Sequence, residues 1–168
     1  MSISIREMRP EDARAFLEVH HLAVRGLAAA DYPPEVIEAW APWPITAEHV
    51  DFVRSNADGE YRLVAEKGGH IVGIGCLVPR KNELRACYVL PSATRNGVGT
   101  AILMALELAA RDQGATALEA DASLNAEPFY RSRGYEVCGR GEHVLNNGVR
   151  TACVRMRKDF GSRGSGRL

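Results

Sequence analysis

No stretch of this chain approaches the roughly 20 apolar residues that a membrane-spanning helix needs. Its start, Met1 to Pro10, carries Arg6, Glu7 and Arg9 where a secretion signal has an apolar core. These absences point to a cytoplasmic protein with no membrane partner. Net charge is also lacking, since 21 basic residues balance 21 acidic ones. That argues against nucleic acid as a partner, because general binding needs a basic face. Cysteine is sparse, with four residues at 76, 87, 138 and 153, and no two form a C-x-x-C pair. No metal site is therefore expected. All four lie in strand-like sequence, where a reduced thiol acts as a small buried hydrophobe.

What remains suits one globular domain. Over 168 residues the chain is 46% apolar and 25% charged, ordinary values for a soluble protein. A chain of this size buries about two-thirds of its unfolded surface without staples. The domain is expected to occupy residues 1–160, with a flexible Gly/Ser/Arg tail at 161–168.

Ile3 and Ile5 alternate with polar residues, which predicts a short strand. Pro10 then opens a helix with Ala13, Phe16, Leu17, His20 and Val24 along one stripe. A proline-rich passage leaves room for a short helix over 35–40, and another follows Thr46 with Val50 and Val53 inward. Strands are predicted over 61–65 and 71–78, joined by a Gly68-Gly69 hairpin, and over 83–90. A helix from about Gly97 to Gln113 keeps the helical period and stops at Gly114. A strand through Leu118, Ala120 and Ala122, a short helix over 126–133 and strands over 135–145 and 151–157 complete the chain. This is an α/β order: strand, helices, three strands, helix, strand, helix, two strands. The strand–helix–strand crossover in the middle is expected to be parallel, the hairpins antiparallel.

The chemistry concentrates where the strand ending at Leu90 meets the long helix. There Pro91-Ser92-Ala93-Thr94-Arg95-Asn96-Gly97-Val98-Gly99-Thr100 forms a Gly-rich turn. A helix N-terminus presents unpaired N–H groups and partial positive charge, so it suits an anion. Glycine lets backbone approach the ligand, and Arg95 adds a forked cation suited to phosphate. A triphosphate loop needs Gly-Lys-Ser/Thr and a dinucleotide loop needs a third glycine; neither is present. Taken alone, G-x-G also fits an ordinary tight turn.

The string P-x-x-T-R-x-G-V-G-T after Tyr88-Val89 resembles the pyrophosphate loop of the GCN5-related N-acetyltransferase (GNAT) family, usually Q/R-x-x-G-x-G/A. Thr94 departs from that first position, and Arg95 follows it. A second segment, Asn125-Ala126-Glu127-Pro128-Phe129-Tyr130 running to Gly134-Tyr135, is similar to the family's N-A-x-x-F-Y-x-x-x-G-F/Y. Cys153 to Lys158 resembles the last strand of one bacterial subgroup. The resemblance covers roughly Ile3 to Lys158 and implies a mixed, mostly antiparallel sheet of about seven strands with about four helices.

The resemblance also implies an activity: acetyl transfer from acetyl-coenzyme A to a primary amine by direct attack. It places the coenzyme on Tyr88, Val89, Leu90, Arg95, Asn96, Gly97, Val98, Gly99, Thr100 and Asn125, with a backbone N–H near Tyr88 at the thioester carbonyl and a bulge splaying the strand. Tyr130 matches the tyrosine that protonates the leaving thiolate, although a tyrosine on a short helix also suits core packing. Asn125 would bind the coenzyme arm or cap the helix at Ala126. Glu83 stands where the family often has its base, or is a solvated strand-end carboxylate. His20 and His143 are weaker candidates. The acceptor region offers Tyr32, Trp40, Trp43, His20, Glu35 and Glu38, an aromatic set suited to an amine. A homodimer is the expected assembly. The alternative activity is a non-catalytic acyl-coenzyme A sensor.

Overall fold

A computed structural model describes residues 2–161; most of the tail expected at 161–168 lies outside the described residues. The elements run β1 (Ile3–Glu7), α1 (Ala13–Ala23), α2 (Pro34–Trp40), α3 (Ala47–Ser55), β2 (Tyr61–Lys67), β3 (His70–Val78), β4 (Glu83–Val89), α4 (Val98–Asp112), β5 (Ala117–Ala122), α5 (Glu127–Ser132), β6 (Glu136–Val144) and β7 (Arg150–Asp159). The seven strands form one sheet in the order β1-β2-β3-β4-β5-β7-β6. All neighbours are antiparallel except β4 and β5, the parallel pair expected around the α4 crossover. The turn between β2 and β3 works because Gly68 and Gly69 both take positive φ, 58° and 80°, which matches the twist of the hairpin.

α4 covers one face of the sheet. Its stripe of Val98, Ile102, Leu103 and Leu106 is buried, each such side chain contributing about 1.5–3 kcal/mol. The helix sits on bare β3 backbone: a Cβ at Gly75 would stand 2.5 Å from Ile102. That close seat fixes where the N-terminus of α4 points. α1 and α3 cover the other face through Phe16, Val19, Val50 and Val53. α1 ends in a π-helical turn over Val24–Ala28, a widening that apolar periodicity does not register. The cysteine expectation holds for Cys76 and Cys153, which are buried, while Cys87 is half-buried and Cys138 is exposed. Cys138 falls at the register shift between Val137 and Gly139, where a bulge breaks the in–out alternation that the sequence reading assumed.

Candidate active site

The Gly-rich turn leads directly into the N-terminus of α4. Arg95 and Gly97 both hold left-handed backbone, φ 61° and 78°. For arginine that is strained, and such strain persists where surrounding structure imposes it, commonly at functional loops. The Thr94 hydroxyl steadies the loop by donating to the Pro91 carbonyl at 2.9 Å. Ala101 N–H bonds the Gly97 carbonyl at 3.0 Å and closes the first turn of α4. The N–H groups of Val98, Gly99 and Thr100 therefore belong to the helix's unpaired end. Arg95, Asn96 and Gly97 are exposed, whereas the Val98 side chain is buried and leaves only its backbone to a ligand. Gly99 nests against the Phe129 ring and the Val89 side chain.

Beside this helix end the sheet opens. β4 and β5 meet at a single register pair, Glu83 and Glu119, and diverge beyond it. β4 carries the irregularity: Ala86 faces Cys76 and Leu84 faces Leu77, so Arg85 is the extra residue. The parity of the β3–β4 ladder decides what the opening presents. Leu90 N–H bonds the Val72 carbonyl at 2.9 Å. Main-chain groups two residues apart face the same way. Tyr88, partnered with Ile74, thus also turns its backbone to β3. Cys87 and Val89 turn theirs to the slot. Near Tyr88, the N–H groups that face the slot are thus those of Cys87 and Val89; ladder parity leaves no mark on composition, so the sequence does not single out Cys87 as a site residue.

Tyr130 lies on this side of the site. It is buried, its ring stacks edgewise on Phe129 (5.3 Å) and Tyr135 (5.4 Å). Burial raises its pKa well above 10, with Cys87 and Tyr88 adding to the effect, so the phenol stays protonated. Asn125 is exposed in a 3-10 turn over Leu124–Ala126. Ala126 takes the N-cap position of α5, so the capping role considered for Asn125 is not what holds it there. Glu83 is not brought to the slot. It sits at the closed end, where β4 and β5 still pair, and bonds Arg85 at 3.1 Å. Arg85 in turn pairs with Asp58 and Glu60, at 2.7 and 2.9 Å.

The opposite face carries an aromatic wall. His20 meets Tyr88 edge to face at 4.7 Å, and Trp40 lies 6.5 Å from both rings and 5.3 Å from Tyr32. Burial, reinforced by His21, pulls His20 down to about 3. Burial, with His49 and Arg25, pulls His21 down to about 4. Both are neutral at neutral pH. The π-turn of α1 touches the Gly-rich loop at Gly26, where a Cβ would stand 2.7 Å from Pro91. Glu38 is taken by Arg25 at 2.9 Å, and Glu35 and Trp43 are exposed. No helix among the described residues is long and apolar enough to cross a membrane.

Comparison with known proteins gives a consistent answer. The family model described as acetyltransferase (GNAT) domain matches residues 28–160. The curated protein named uncharacterized N-acetyltransferase YjcF, from Bacillus subtilis, is 45% identical over 77 residues. That match covers 46% of this chain and spans about half, 53%, of the relative's length. A GCN5-related N-acetyltransferase of Rhodopseudomonas palustris is 32% identical with a TM-score of 0.85, covering 95% of this chain and 96% of that one. The PaiA N-acetyltransferase of Thermoplasma acidophilum, solved in complex with coenzyme A, shares the fold at 23% identity and a TM-score of 0.73, over 95% and 99% of the two chains.

Proposed function

Because this chain belongs to the GNAT acetyltransferase family, we propose that it transfers an acetyl group from acetyl-coenzyme A to an amine by direct attack. The observation that carries the reading is the left-handed pair Arg95 and Gly97 at the open end of α4, directly beside the parting of β4 and β5. Arg95 and the N–H groups of Val98, Gly99 and Thr100 suit a pyrophosphate. The slot-facing backbone of Cys87 and Val89 suits an extended amide-bearing arm, which such groups bind like an added strand. The coenzyme found with the Thermoplasma protein supports the same assignment.

Bound in this way, the coenzyme would supply a thioester carbonyl: the neutral amine forms the new N–C bond, the C–S bond breaks, the thiolate departs, and the nitrogen gives up its extra proton to solvent. The N–H of Cys87 or Val89 donates to the carbonyl oxygen as charge builds there. Tyr130, kept protonated by burial, gives its proton to the leaving sulfur. The test is release of free thiol from acetyl-coenzyme A in the presence of an amine panel. Amine-dependent release supports the reading. Binding of acetyl-coenzyme A with no release for any amine identifies a sensor instead.

A further inference from the structure

The β5–β7 ladder carries two successive pairs of opposite charge on one face of the sheet, and only one pair closes. Glu119 and Arg157 are register partners and form an ion pair at 2.8 Å. Asp121 and Arg155 are the next same-face partners along the ladder. Opposite charges placed across from each other on neighbouring strands ordinarily attract and pair. These two turn apart. Asp121 Oδ2 stands 3.4 Å from His143 Nδ1. The Arg155 side chain makes no ion pair or hydrogen bond among the described residues. Its guanidinium lies across β6 at Gly141, where a Cβ would stand 2.9 Å from Nη2. Glu142, a neighbouring carboxylate, is taken by Arg150 at 3.3 Å.

The location matters as much as the pairing. Leu118, Ala120 and Ala122 of β5 face the α4 core, so Asp121 faces the other way, as Tyr88 does among the α1 side chains. Asp121 lies two residues beyond Glu119, on the part of β5 that has left β4. It therefore borders the slot on the face where an acceptor has to arrive. The Arg155 backbone is one strand further out, about 5 Å, and its guanidinium lies beyond that, over β6 at Gly141.

We propose that the acceptor is an amine that also carries an anionic group, with its ammonium drawn to Asp121 and its anion to Arg155. This rests on the acetyl-transfer reading above. A molecule with both charges bridges what the ladder leaves unbridged, and the order of the strands puts its nitrogen at the slot and its anion away from it. The Asp121–His143 pair then takes the proton the nitrogen must lose before attack. The guanidinium fork accepts a carboxylate or a phosphate, since both present two oxygens side by side.

The experiment compares L-amino acids with their carboxamides, and O-phosphoethanolamine with ethanolamine, as acceptors at saturating acetyl-coenzyme A. The anionic member of at least one pair is expected to be favoured about tenfold or more in kcat/KM, the scale of a charged hydrogen bond. Arg155→Ala should erase that preference and leave the KM for acetyl-coenzyme A unchanged. Gly141→Ala should weaken it by displacing the guanidinium, and Arg155→Lys should keep part of it. Which pair shows the preference identifies the anion. Equal rates within every pair, or a preference that survives Arg155→Ala, overturn the inference while acetyl transfer stands. If acetyl-coenzyme A raises the melting temperature but no amine of either kind accepts the acetyl group, the activity itself is refuted, and this inference with it.

Discussion

The Tyr32 hydroxyl accepts the Leu124 N–H at 2.9 Å and donates to the Ala152 carbonyl at 2.6 Å. One phenol thus ties the segment between α1 and α2 to the turn carrying Asn125 and to β7. Tyr32→Phe keeps the ring but leaves the Leu124 N–H without its partner. The expected loss of stability is about 1–3 kcal/mol, the cost of an unsatisfied buried group, read from urea unfolding. The KM for acetyl-coenzyme A should rise more than kcat falls, because the turn loosens while the slot survives. An unchanged midpoint and KM would show that the two bonds hold nothing.

Gly99→Asp tests the anion site. A Cβ at this position meets Phe129 and Val89 only at ordinary contact distance, 3.4 and 3.6 Å, so the fold should persist. The carboxylate, however, lies in the first turn of α4, where a pyrophosphate is expected. Acetyl-coenzyme A should raise the melting temperature of the wild type by mass action and fail to do so for the variant. Equal thermal shifts would refute the loop assignment.

Much of this arrangement was readable from residue order. The alternation of Ile3 and Ile5, the α4 stripe and the Gly68-Gly69 turn each reflect one local period or one local backbone demand, and each element appears within a few residues of its expected place. The two family-like segments carried the coenzyme assignment for the same reason, since their residues are contiguous. What escaped depends on chain segments distant in sequence. Tyr32 meets Leu124 and Ala152 across about 90 and 120 intervening residues. Glu83 matched its position in the chain, yet Arg85 and the β4–β5 pairing hold it at the closed end of the slot. Cys87 became a slot residue only through the parity of a ladder bond.

His20 and His21 make stability depend on pH in a window set by burial. An exposed histidine in the unfolded chain titrates near 6.5, whereas these two stay neutral down to about 3 and about 4. Between those limits the unfolded state binds more protons, so stability is full above about pH 7 and falls as pH drops through the window. Each histidine contributes at most about 1.4 kcal/mol per pH unit. The depressed carboxylates, Asp12 and Glu60 among them, act only in more acidic solution. Urea unfolding between pH 5 and 7 should show a shallower slope for His20→Gln than for the wild type. Identical slopes would mean His20 is hydrated and charged in the folded protein.

Tyr130 offers the sharpest test of mechanism, because its burial allows two readings that one hydroxyl separates. Packed between Phe129 and Tyr135, the ring contributes to the core whether or not its oxygen reacts. Tyr130→Phe keeps that packing and removes the proton donor. If the phenol serves the leaving thiolate, turnover should fall by about 10²-fold, the low end for general acid catalysis. Acetyl-coenzyme A affinity should fall far less, since one hydrogen bond is worth about 1 kcal/mol. Burial also fixes the pH behaviour. With its pKa raised well above 10, the phenol is protonated across the working range. The wild type should therefore show no loss of its acid up to about pH 9, and the variant should be slower by a constant factor over that range. A purely structural tyrosine gives the reverse pattern, a lower unfolding midpoint with near-normal turnover. Rapid-mixing rates at saturating acetyl-coenzyme A, measured for both proteins across pH with the unfolding midpoint of each, distinguish the two. If chemistry limits the rate and the two proteins turn over equally, the proton reaches the sulfur from somewhere other than Tyr130.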